Sequence, residues 1–121
     1  SLSTAGIRLA GAAQPTRLTE SMEILTLSGT VAADGGKTGS HMHMAISTAT
    51  GQVLGGHVAP GCIVLTTAEV LLALLPDCQF TRAPDVATAY DELVIRPYGR
   101  FAISLIAACA HPAGARGQFH S

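Results

Sequence analysis

His41 and His43 stand one residue apart in the run HMHMAIS, and His57 closes GGHV fourteen residues after His43. In an extended strand the side chains of residues i and i+2 point to one face. His41 and His43 therefore share a face, while Met42, Met44 and Ile46 share the opposite one. Two imidazoles so placed can grip a single metal ion if a third ligand arrives from another strand, and His57 is the candidate. Three nitrogens with an open fourth position describe catalytic zinc, whose bound water is acidified towards neutral pH. The plainer alternative is that the imidazoles hydrogen-bond at a subunit interface or line a polar cleft. Met42 and Met44 read as core filler rather than ligands, since a thioether packs readily into irregular gaps.

Glu69 is the second residue that could do chemistry. It is the one acidic residue inside the apolar run CIVLTTAEVLLALL, Cys62–Leu75. A buried carboxylate must be paired, protonated or at a metal. Glu69 is therefore either a general acid/base beside the histidines or a satisfied interface residue, with Arg82 available to pair with it or with Asp85. Gly55-Gly56 reads as a place where another backbone comes close before His57. It is not a phosphate loop, because no Lys and helix follow it.

Strands must position these groups. Ser1–Gly11 and Met22–Ala32 alternate like strands, with a bulge expected near Gly29. Ala12–Glu20 reads as a loop around Gln14-Pro15-Thr16. Asp34-Gly35-Gly36 carries hairpin-turn chemistry. The histidine strand is expected over Ser40–Thr48, then a turn at Thr50-Gly51-Gln52, a strand over Val53–Val58 and a turn at Ala59-Pro60-Gly61. That hairpin would set His57 beside His41 and His43. Cys62–Leu75 is ambiguous: its first half is β-branched, whereas AEVLLALL is rich in helix formers. Cys78–Arg82 and Glu92–Ile95 read as short strands around a loop over Pro84–Tyr90. The apolar piece FAISLIAACA and a loose end complete the chain, and His111 and His120 in that end are assigned no role. The division expected is one domain over residues 1–98 and a C-terminal strand or tail over 99–121.

Composition narrows the partners. The chain has 121 residues, 48% hydrophobic and 12% charged, enough for one core but with little charge to cover it. Part of the surface is therefore expected to be hidden in an oligomer. Six arginines and one lysine against eight carboxylates leave a net charge of −1, which is no footprint for phosphate backbones. The three cysteines form no C-x-x-C pair and read as buried free thiols. No signal peptide opens the sequence and no apolar run reaches the ~20 residues of a membrane span, so no membrane partner and a cytoplasmic location are expected.

The series SGTVAADGG, HMHMAIS, G-x-V-x-GGHV, GCIVLTTAEV, FTRAPD and YDELVI resembles the plants and prokaryotes conserved (PPC) domain family over about Leu25–Ile95. The resemblance implies an α+β fold, a mainly antiparallel sheet with few helices, assembling as a homotrimer. It makes Cys62–Leu75 largely strand, against the helix propensity of its second half. It also implies an N-terminal strand and helix upstream of Ser1, so a missing N-terminal portion is expected. The fold is shared with acetolactate decarboxylase, a zinc enzyme whose metal is held by an H-x-H pair and a further histidine. By that analogy His41, His43 and His57 are the metal ligands and zinc the cofactor. Plant members join the domain to a basic Arg-Gly-Arg-Pro segment that reads A/T-rich DNA, and Arg116-Gly117 here is too little to match it. Stand-alone prokaryotic members are labelled DNA-binding, and this chain resembles those. Function on this reading is a DNA-associated, homotrimeric binding module with a histidine metal site, nucleoid-associated if DNA is bound. The alternative is a zinc-dependent lyase-like or hydrolase-like enzyme with Glu69 as acid/base. Fold kinship alone does not decide between them.

Overall fold

The computed structural model describes residues 1–34, 37–97 and 104–110, with the backbone alone at 33, 34, 37 and 104–110. These residues form strands and turns, with no helix among them. The expected α+β character is thus realised as β structure throughout the described residues. The described chain falls into two compact units, one holding Ser1–Gly29, Met42–Val70 and the stretch from Ala107, the other Thr30–His41 and Leu71–Ile106.

In the first unit the strands are β1 (Leu2–Arg8), β2 (Thr16–Leu18), the start of β3 (Met22–Asp34), most of β4 (Lys37–Thr48), β5 (Val53–Val58) and β6 (Ile63–Val64). Their order is β2-β1-β5-β4-β3, with β6 paired to β1. β2 corrects the expected loop over Ala12–Glu20: Thr16, Arg17 and Leu18 pair with Ile7, Gly6 and Ala5. Three residues flanked by turn formers give too short a run for alternation to register, and it is the partner strand that extends them. β4 and β5 form the expected hairpin, closed where Gly51 takes φ 81°. A left-handed residue of that kind suits glycine, which has no Cβ to clash.

Period two decides the core. Ile46 and Met44 from the non-histidine face of β4 bury against Leu2, Ala5 and Ile7 of β1 and Met22 of β3. Ile7, Met22 and Ile46 are its largest fully buried side chains. Leu54, Val58, Cys62 and Val64 pack around this cluster. Fully burying a side chain of this size contributes about 1.5–3 kcal/mol. Cys62 is half-buried rather than buried; its thiol accepts from the Gly6 N–H at 3.3 Å and lies 3.5 Å from the Ala59 carbonyl. Cys78 is half-buried and free as well.

The second unit contains the end of β3, the start of β4, β8 (Cys78–Pro84) and β9 (Asp91–Pro97). β8 and β9 are an antiparallel hairpin from Cys78↔Pro97 to Pro84↔Asp91, and β3 meets β8 in parallel at Ala33↔Thr81. The connecting loop is held by Asp85, whose Oδ1 accepts the N–H groups of Ala87 at 2.7 Å and Thr88 at 3.1 Å. Side-chain caps of this type replace a backbone turn. Arg82 pairs with neither Glu69 nor Asp85. It donates to the Asp91 carbonyl at 3.0 Å and to Thr30 Oγ1 at 3.2 Å, tying β3 to the hairpin.

Cys62–Leu75 is strand in two pieces, β6 and β7 (Ala68–Leu74), separated by bends. β7 pairs with β10 (Ser104–Ala110) in a two-stranded sheet. Helix propensity in AEVLLALL is worth only tenths of a kcal/mol per residue, and strand pairing overrides it. Asp34-Gly35-Gly36, the tail histidines His111 and His120, and Arg116-Gly117 lie wholly or partly outside the described residues.

Candidate metal centre

β4 and β5 bring the histidines together by register. His43 lies directly opposite His57, and the pairs Ala45↔Gly55 and Ser47↔Val53 continue the same face. Directly opposed residues in an antiparallel pair project to one side, with Cα atoms about 4.5–5.5 Å apart. The His43 and His57 rings meet edge to face, centroids 5.4 Å apart at 78°. His41, two residues before His43 on β4, completes the group: one nitrogen of each ring lies within 4.8 Å of the others. The expectation that the three imidazoles converge is met.

Gly56 makes this approach possible. A Cβ there would lie 2.4 Å from the Arg8 carbonyl and 2.9 Å from Ile7 Cγ2. β1 therefore runs against β5 at the residue before His57, as the Gly55-Gly56 pair predicted. The backing of the site is the packed face of Met44, Ile46 and Ile7, all nearly inaccessible. His41 and His57 are half-buried and His43 is exposed, so the cluster has one open side. Nδ1 of His57 is wholly buried.

The donor set suits zinc. Imidazole nitrogens bind zinc at about 2.0–2.1 Å in a tetrahedron, so a spread within 4.8 Å needs only small ring rotations to close on one ion. Three neutral imidazoles would leave both charges of the ion uncompensated and one position open, the pattern of catalytic rather than structural zinc. Thiolates are absent from the group, as are carboxylates.

Glu69 is not one of the converging donors. On β7 it is exposed, although its neighbours in sequence are apolar. It lines a shallow cleft with Ser1, Glu23, Ile24 and Thr67, and it is not a member of the histidine group. The residue that motif reading passed over is Arg8, which is the cross-strand partner of His57. No spacing rule links positions 8 and 57; only strand pairing does.

The fold and site define a mainly antiparallel β domain that presents a cluster of three imidazoles on one sheet face. The profile of the Plants and Prokaryotes Conserved (PCC) domain matches residues 1–76, and the chain belongs to that family. Two Synechococcus proteins, each named Bifunctional protein GlmU, are similar to it. One, from strain JA-2-3B'a(2-13), is 47% identical over 97 residues; the other, from strain JA-3-3Ab, is 46% identical over 95. The matches take in 80% and 78% of this chain, which spans about 15% of the length of either relative. A hypothetical protein from Salmonella enterica has a similar solved structure, with a TM-score of 0.61 and 32% identity, covering 79% of this chain and 67% of that one. Among the described residues no helix is long and apolar enough to cross a membrane.

Proposed function

We propose that this domain is a self-assembling binding module that holds one zinc-class ion through His41, His43 and His57. The observation that carries the reading is the convergence of three imidazole nitrogens within 4.8 Å. When bound, such an ion supplies a Lewis acid and a water acidified towards neutral pH. The chain's own contribution is to fix two ligands by the β4–β5 register and to leave the His43 side open to a fourth ligand.

Homotrimeric assembly is part of the proposal and draws on two supports. One is the family resemblance; the other is apolar surface at Leu25, Leu27, Leu71, Leu72 and Leu74, each 38% exposed or more. These exposed side chains would be covered by assembly, which would remove their apolar area from water. The Synechococcus relatives support a module reading as well, since the matching stretch is a small part of each. DNA association rests on the family alone, and with a net charge of −1 we assign it no contact residues. Titration with duplex DNA at low and high salt tests it: a salt-dependent affinity supports phosphate contact.

The second reading is a metal-dependent enzyme, lyase-like or hydrolase-like, acting on a small molecule. What favours it is the open side at His43. In this version Glu69, exposed on β7 and not itself a ligand, is the acid/base.

Metal content per chain, in protein purified without chelators, tests the shared core of both readings. About one zinc per chain is expected, dropping to background in His43→Ala. Metal-free wild type that stays metal-free after zinc is restored would remove the metal from either reading.

A further inference from the structure

The strand register assigns this site a second cationic group. Arg8, the last residue of β1, is the antiparallel partner of His57, which in turn is the partner of His43. Directly opposed residues share a face, so Arg8, His57 and His43 form a row across three adjacent strands. Arg8 is half-buried, and no hydrogen bond or ion pair engages its guanidinium among the described residues. Glycine at position 56 keeps β1 against β5 at this point, which fixes Arg8 next to the histidine row.

We infer that the open side of the centre binds a carboxylate. One oxygen would take the metal's remaining position and the other the Arg8 guanidinium. The inference rests on the metal reading above and names the ligand class for it. Three neutral imidazoles leave the ion's two positive charges intact, and Arg8 adds a third on the same face. An anion is the complementary ligand, and electrostatic matching of this kind selects partner sign. The guanidinium is permanently charged and can aim more than one N–H at that second oxygen. A single arginine suits a monovalent carboxylate better than a phosphate dianion, which draws on several donors. On either reading of function the bound group is thus a small carboxylate or the carboxylate of an acidic side chain.

Cobalt-loaded protein provides the test, because Co2+ in a three-nitrogen site has visible bands that respond to a fourth ligand. Acetate is the probe and uncharged acetamide its control. Acetate is expected to shift the bands of the wild type, and acetamide is not. In Arg8→Gln the acetate affinity is expected to fall about tenfold with cobalt affinity within about twofold of wild type. Arg8→Lys should fall between the two, and its own cobalt bands certify that it is folded. Arg17→Gln is the charge control. Arg17 opposes Gly6, so it is on the same face but further along β1, and its loss should leave acetate binding unchanged. Equal acetate binding in wild type, Arg8→Gln and Arg8→Lys would overturn the inference, as would equal weakening in Arg17→Gln. Cobalt bands that ignore acetate in the wild type overturn the carboxylate site and leave the metal site standing. Absence of cobalt binding overturns both.

Discussion

His43 carries more of the proposed site than its two partners, because it belongs both to the H-x-H pair and to the cross-strand pair with His57. Truncating one imidazole of three leaves a two-coordinate remnant. His43→Ala is therefore expected to weaken zinc by at least about a hundredfold in a chelator-competition titration, comparable to or beyond losses seen for supporting residues. Gly56 is the other residue on which the site depends. Gly56→Ala would force a Cβ to within 2.4 Å of a backbone carbonyl, which cannot rotate away. Overpacking of that kind costs about 1–3 kcal/mol, and urea unfolding should report it. Gly55→Ala meets its nearest atom at 3.2 Å, so it should cost clearly less. Equal losses at the two positions would show that the β1–β5 approach is not what selects glycine at 56.

The element that joins chemistry to stability is β4, whose two faces serve separate purposes. Its odd-numbered residues supply ligands, and its even-numbered residues Met44 and Ile46 supply core. Ile46→Ala removes a fully buried side chain and is expected to lower unfolding free energy by about 2–5 kcal/mol. Ser47, on the histidine face, should be neutral to within about 0.5 kcal/mol when replaced by Ala. Chemical denaturation of the two variants side by side separates the faces. In the β8–β9 hairpin, Asp85→Ala deletes the acceptor for two loop N–H groups and should cost about 1 kcal/mol. A loss confined to that hairpin would appear as faster amide exchange at Ala87 and Thr88.

At the scale of the molecule, little charge and much exposed leucine set the expectation. Light scattering is expected to give about 37 kDa, three times the 12.3 kDa chain. Leu71→Glu, placed on a residue 66% exposed in the single chain, should shift the mass towards one chain with little change in its fold. A wild-type mass of 12.3 kDa at micromolar concentration would end the trimer proposal. Metal should stabilise the folded chain by linkage, since an ion bound only in the native state adds about 2.7 kcal/mol at a hundred times its Kd. Thermal unfolding with and without zinc should show that gain in the wild type and not in His43→Ala.

Alternation alone determined that β4 has a histidine face and a core face, because strand geometry makes side-chain direction a matter of parity. The β4–β5 hairpin was equally legible, since Gly51 and its neighbours can hardly do anything but turn. The family was legible in motifs spread along the chain. Other features needed the tertiary structure. AEVLLALL could follow either its local helix preference or a strand partner, and only pairing with β10 decided it. Thr16–Leu18 became a strand because β1 lies beside it. Glu69 looked buried from its apolar neighbours, yet β7 leaves it exposed. Arg8 entered the site through register, a relation between residues 8 and 57 that no local pattern encodes. Local physics fixes which way a side chain points along its own strand; which residues then share a face across strands is settled only when the strands pair.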